Sequence, residues 1–179
     1  VAAGARQVTD VLHMVVNGAG LLHGDAVHPE KSLATLDRAA LEQVFALNAF
    51  APILLARALL PLLDARSRCV VASLSARVGS IGDNRLGGWY AYRASKAAQN
   101  QLLRTLSIEL RRSHPLATCV LLHPGTVDTP LSRPFQSRVP AEALFTPARA
   151  ARQLLDIIAG LQPRDSGRFI AWDGTDVPW

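Results

Sequence analysis

Two apolar runs without polar alternation bracket one long amphipathic stretch, and this constrains the fold more than any other feature. Arg68 to Leu74 and Ala117 to His123 carry Val, Leu, Ala and Cys at successive positions. A strand reads this way when helices cover both faces of its sheet. Between them, Tyr92 to Arg112 places Leu102, Leu103, Leu106 and Leu110 at helical spacing, so it reads as a helix with one buried face. A strand, a crossover helix and a second buried strand imply parallel pairing.

The rest of the chain extends the pattern. Residues 1–9 read as the end of a helix, and Asp10 to Val16 as a mostly apolar strand stopped by Asn17-Gly18-Ala19-Gly20,. After a loop to about Leu36, Asp37 caps a helix that carries Leu41, Val44, Phe45, Leu47, Phe50, Ile53, Leu54 and Leu55 and ends near Leu63,. Pro52 lacks a backbone donor and predicts a bend there,. Ser75 to Tyr90 is a glycine-rich loop, Pro124-Gly125 cuts off the third strand, and 126–146 is irregular. Pro147 to Leu161 reads as a last helix and Arg168 to Trp172 as a fourth strand. The alternation predicts one α/β domain over residues 1–179, a doubly wound parallel sheet.

Composition narrows the function classes. A chain of 179 residues with 49% hydrophobic composition has enough apolar surface for one core,. The net charge of +5 comes from 17 arginines against two lysines, scattered along helices, and aromatic content is 6%. This reads as a solvated surface rather than a nucleic-acid stripe. Cys69 and Cys119 open apolar runs and read as packed thiols, not a disulfide,. With no 18-residue apolar run, signal peptide or lipidation motif, a soluble cytoplasmic chain without membrane contact is expected,. The five histidines lack metal-ligand spacing, so no metal is expected, and His123 reads as a strand-end histidine bonded to backbone,.

Tyr92 and Lys96 lie one helical turn apart in a chain with two tyrosines and two lysines,. A cation beside a phenol favours the phenolate and makes the pair an acid/base toward an alcohol or carbonyl. The alternative is a packed tyrosine followed by a solvated lysine. In a parallel sheet, ligands bind at the carboxyl ends of strands. Asn17-Gly18-Ala19-Gly20, Ser75 and Pro124-Gly125 fall at such ends, and Tyr92-Lys96 opens the helix after the second. Their convergence on one rim favours the functional reading.

Together with Asn48, these motifs resemble those of the short-chain dehydrogenase/reductase family, whose marks are a Tyr-x-x-x-Lys pair, a preceding serine, an Asn-Asn-Ala-Gly turn, a helix asparagine and a Pro-Gly turn. Gly79 to Asn84 and Gly87 to Arg93 are similar to the C-factor-like branch. The resemblance implies a Rossmann-type fold and a hydride exchanged between NADP or NAD and a small carbonyl or alcohol, with no metal. It implies Tyr92 as acid/base, Lys96 on the nicotinamide ribose, and Asn48 supporting a proton relay through water. Asn17, Ala19, Gly20, Pro124, Gly125, Val127 and Thr129 would line the cofactor groove, with Tyr92 and Lys96. A capping hydroxyl remains the alternative for Thr129, and for Asn48 a hydrogen bond mending the gap at Pro52. The helices at 37–63 and 92–112 imply a homo-oligomer.

Two departures stand out. The family's serine falls three residues before a glycine, which from Gly79 gives Ala76, with Ser75 one position early. A strand-end bulge re-aiming Ser75 would make it the substrate-orienting hydroxyl. The family's opening strand, glycine-rich turn and helix have no counterpart before Val11. The chain, which starts on Val, is thus expected to be the C-terminal two-thirds of a reductase domain, with its first strand an unprotected edge. The competing readings are a missing half supplied by another chain, or a cofactor-free dimerising or signalling module.

Overall fold

The computed structural model describes residues 2–179. In chain order the elements are α1 (Ala2–Arg6), β1 (Met14–Asn17), α2 (Arg38–Phe45), α3 (Ala51–Leu59), β2 (Cys69–Leu74) and α4 (Tyr90–Ser113). They continue with β3 (Ala117–His123), β4 (Thr126–Val127), β5 (Leu144–Phe145), α5 (Pro147–Gly160) and β6 (Phe169–Ala171). One four-stranded sheet runs in the order β1-β2-β3-β6 with every pair parallel. Met14 stands opposite Val70, Cys69 opposite Ala117 and Leu121 opposite Phe169.

Strand parity sorts the core into two layers. Cys69 and Val71 of β2, with Cys119 and Leu121 of β3, pack against Leu103, Leu106 and Leu110 of α4. Val70 and Ala72, with Val120 and Leu122, pack against Leu154 and Ile158 of α5. Both faces are covered, which is why neither strand alternates in sequence. Each buried leucine or isoleucine contributes roughly 1.5–3 kcal/mol. Cys69 and Cys119 are free buried thiols on the α4 side.

The expected helix at 37–63 forms as one continuous helical run, Arg38–Leu62, in which α2 and α3 are joined without a break. Asp37 caps α2 by accepting from the Ala40 amide at 2.8 Å. A π-turn over Ala46–Phe50 then joins α2 to α3, with Pro52 in the first turn of α3. The extra residue of a π-turn widens the helix where proline interrupts its ladder. Contrary to expectation, the 25-residue run Arg38–Leu62 contains an 18-residue window of mean hydropathy 1.7 and is long and apolar enough by length and composition to cross a membrane; 33% of that window is buried in the domain. The segment 126–146 is less irregular than expected, since β4 and β5 pair in parallel, Thr126 opposite Leu144.

Among the described residues β1 has no partner on its outer side. Met14 and Val16 are 49% and 47% exposed there, so the expected open edge is present.

Candidate active site

The carboxyl ends of β1, β2 and β3 open onto a groove of about 490 Å³. Ala19, Gly20, Ser75, Tyr92, Lys96, Pro124, Gly125, Val127 and Thr129 all line it, as do Ala76 and His123. Asn17 and Asn48 stand behind it. The Asn17 carboxamide accepts from the Ala19 amide at 3.3 Å and donates to Ser73 Oγ at 2.9 Å, fixing the turn after β1.

Asn48, in the π-turn, has no exposed surface. Its Nδ2 donates to the Leu21 carbonyl at 2.8 Å and to Ser95 Oγ at 3.0 Å, and its Oδ1 accepts from the Leu21 amide at 2.7 Å. The side chain therefore holds the turn beyond Gly20 against α4 rather than mending the gap at Pro52. A Cβ on Gly20 would stand 3.8 Å from Lys96 Nζ and 3.9 Å from Asn48 Oδ1. Glycine there leaves space on the groove side of Lys96.

Tyr92 and Lys96 sit in the first two turns of α4, with the ammonium 5.9 Å from the phenol ring centre. Lys96 Nζ donates to the Leu74 carbonyl and to Gln99 Oε1, each at 2.9 Å. Burial pushes the Tyr92 phenol up to about 12 and the Lys96 ammonium down to about 8. The expected lowering of the phenol by its neighbour is thus outweighed by loss of water around both groups. At neutral pH the pair is a neutral phenol beside an ammonium.

Ser75 lines the groove, but its side chain also bonds to α4. Its amide stays in the sheet, donating to the Leu122 carbonyl at 2.8 Å, with no bulge to turn it. It shares the α4 side of β2 with Ser73, and its hydroxyl donates to Asn100 Oδ1 at 2.6 Å. Ala76 occupies the groove position one residue on.

Two glycines are fixed by contact. A Cβ on Gly79 would lie 2.7 Å from Lys96 Cβ, so glycine lets the loop after β2 run against α4 at Lys96 itself. Gly125 has φ +76°, and a Cβ there would meet the Phe145 ring at 2.6 Å,. Thr129 Oγ1 bonds back to the Val127 carbonyl at 3.4 Å, and its carbonyl accepts from Ser132 and Arg133, starting a turn.

Other expectations resolve around the rim. The loop 77–89 contributes nothing to the groove lining. His123 Nδ1 accepts from the Arg77 amide at 3.4 Å, the backbone role expected. Burial, then the Arg77 charge, holds its imidazole down at about 4. Trp89 is left-handed at φ 51° and meets the rings of Tyr92 and Phe135 edge-on at 6.3 and 4.9 Å. Trp179 covers Phe169, ring centres 5.8 Å apart, while its carbonyl accepts from the Gly82 amide at 2.8 Å.

Two residues escape motif reading. Buried Glu30 accepts from the Ala91 amide at 3.2 Å, capping α4 where Trp89 offers no side-chain cap. No local signal marks it, because it reaches the helix from 61 residues away. Gln99, fully buried beside Lys96, interrupts the apolar stripe that continues through Leu103, Leu106 and Leu110. That interruption is visible in sequence.

Comparison with known proteins follows this geometry. A family profile described as short chain dehydrogenase matches residues 1–139. C-signal of Myxococcus xanthus is 38% identical over 148 residues, 83% of this chain and 84% of that protein. The 1-hydroxy-2-glutathionyl-2-methyl-3-butene dehydrogenase of Rhodococcus sp. (strain AD45) is 36% identical over 168 residues, 94% of this chain and 69% of that one. Among solved structures, the carbonyl reductase Sniffer of D. melanogaster matches with a TM-score of 0.85 at 29% identity, covering 99% of this chain and 71% of its own. An NADPH-bound carbonyl reductase from chicken fatty liver gives 0.83 at 28% identity, covering 99% and 70%.

Proposed function

The chain belongs to the short chain dehydrogenase family, a family of oxidoreductases, and from that premise we propose that its groove takes the nicotinamide end of NADP or NAD and interconverts a carbonyl and an alcohol. The observation that carries this reading is the meeting of Tyr92 and Lys96 with Gly20 and the Pro124-Gly125 turn in one groove at the strand ends. The groove fits such a ring. Its walls include Leu74, Val127, Pro147 and Leu154, and the absence of a side chain at Gly20 leaves room beside Lys96. The carbonyl reductase crystallised with NADPH supports the cofactor class.

Ala19, Gly20, Pro124, Gly125, Val127 and Thr129 would hold the nicotinamide end and Lys96 its ribose, with Asn17 fixing the turn. When bound, the nicotinamide supplies or accepts the hydride. Tyr92 hydrogen-bonds the substrate oxygen and gives it a proton as the alcohol forms; it takes the proton back in the reverse direction. A phenol that stays neutral at pH 7 suits the acid role. Lys96 stabilises the phenolate left behind, and Asn48 supports its reprotonation through water. Ser75 has no part in this scheme, so Tyr92 is the hydroxyl donor toward the developing oxyanion.

We further take the chain to be the C-terminal two-thirds of a reductase domain whose remaining strands pair on the open edge of β1. The oxidoreductase relatives support this over a cofactor-free module. The test is reduction of a panel of aldehydes and ketones with NADPH and with NADH, followed by loss of cofactor absorbance. Tyr92→Phe should lower turnover by about 10³-fold with an unchanged melting temperature. Turnover retained in that variant rejects the assignment.

A further inference from the structure

Gln99 lies one turn beyond Lys96 on the buried stripe of α4, with no exposed surface. The chemistry of its neighbours fixes how its amide is turned. An ammonium only donates, so the oxygen faces Lys96 Nζ at 2.9 Å. The nitrogen donates to Ser73 Oγ at 2.7 Å and to the Leu74 carbonyl at 3.2 Å. Ser73 Oγ also accepts from Asn17 Nδ2 at 2.9 Å. A continuous polar chain thus runs from Lys96 through Gln99 and Ser73 to the end of β1.

The count of protons on Lys96 gives this chain its meaning. Of three, one goes to the Leu74 carbonyl and one to Gln99 Oε1. A single N–H is left for the groove, on the side where a Cβ added to Gly20 would stand 3.8 Å from the ammonium nitrogen. We infer that Gln99 is a positioning residue for Lys96: its oxygen is the acceptor that holds the ammonium charged and leaves one N–H free for the ligand. The inference rests on the reading of Lys96 as the cofactor-side cation, while its test does not.

The groups around Lys96 keep that test clean. Tyr92 on its own helix and His123 at the end of β3 are the titratable groups that share its groove. The β1 turn, the π-turn and the loop after β2 present Gly20, Asn48 and Gly79, all neutral. Arg77 and Asp83 of that loop pair with each other at 3.3 Å.

The chain has two lysines, Lys31 and Lys96. Lys31→Arg therefore leaves Lys96 as the single lysine signal in NMR of protein carrying labelled lysine. In that background Gln99→Leu, which continues the apolar stripe, should lower the Lys96 titration midpoint by about one pH unit. Gln99→Glu, of equal size, should raise it by more than one, and Ser73→Ala, which frees the far side of the amide and also the Asn17 carboxamide, should lower it by a few tenths. A midpoint unmoved in folded Gln99→Leu and Gln99→Glu overturns the inference, even in an enzyme that turns over. Shifts of the expected sign uphold it even where no carbonyl is reduced, in which case the reductase reading alone has failed.

Discussion

Ser75 Oγ donates to Asn100 Oδ1 across 2.6 Å, tying the end of β2 to α4. On this bond we propose that Ser75 is a structural hydroxyl. Ser75→Ala should cost about 1 kcal/mol of stability and leave turnover within about twofold. Ala76→Ser instead puts a hydroxyl on a position that lines the groove. Since a lost oxyanion donor costs roughly 10²-fold or more, an added one with imperfect geometry should raise kcat by about tenfold. Steady-state kinetics of both variants, beside urea melts, measures this pair of effects.

Lys96 makes stability depend on pH in a readable direction. Its ammonium is brought from an ordinary 10.5 to about 8 by burial, so between those values the unfolded chain holds a proton that the folded chain has released. Stability should therefore rise with pH through this window relative to Lys96→Met, which lacks the group. Tyr92 acts oppositely. Raised by burial from 10.0 to about 12, it keeps its proton in the folded chain while the unfolded chain loses it, and stability should fall above pH 10 relative to Tyr92→Phe. Denaturant midpoints of the parent and both variants across alkaline pH test the two signs separately.

Gly79 meets Lys96 so closely that one methyl is too much. An added Cβ would lie 2.7 Å from Lys96 Cβ and 3.0 Å from its carbonyl carbon, and neither atom is the far end of a flexible chain. Gly79→Ala should cost about 1–3 kcal/mol and raise the KM for cofactor by shifting the turn that carries Lys96. A melt and a kinetic comparison together check both parts.

Leu47, Phe50 and Leu54 share one exposed side of the α2–α3 run, and Leu54 and Phe50 are 54% and 52% exposed. Ile108 on α4 is 49% exposed. Apolar surface of this kind on helices favours self-association. We expect a homo-oligomer through these helices, and Leu54→Asp should shift its sedimentation toward the monomer. Identical sedimentation of both proteins would remove these helices as the interface.

The sheet was legible because both of its faces are buried. Unbroken apolar runs in β2 and β3, each ended by turn residues, left little freedom in their placement. Other parts lay beyond local pattern. Pro52 announces a disturbance in its helix, and the π-turn forms at Ala46–Phe50, around the Asn48 carbonyl that the proline cannot bond, but proline alone does not say which form the disturbance takes. Strands of two residues, such as β4 and β5, are too short to show a period. In the site, the spacing of Tyr92 and Lys96 was readable, whereas their pKa values depend on burial that spacing does not report. The direction of Ser75 was available from parity, since it shares its side with Cys69, Val71 and Ser73. Gln99 broke an apolar stripe in plain view, but only the carbonyl of Leu74 and the hydroxyl of Ser73 show what the break is for.

Asn48 grips Leu21 by both its amide and its carbonyl, as a neighbouring strand would. An aspartate there would keep the acceptor and turn a donor into a second acceptor facing a carbonyl oxygen, with a buried charge besides. Chemical ageing of this one carboxamide by deamidation would therefore unlatch the floor of the groove while leaving Tyr92 and Lys96 intact.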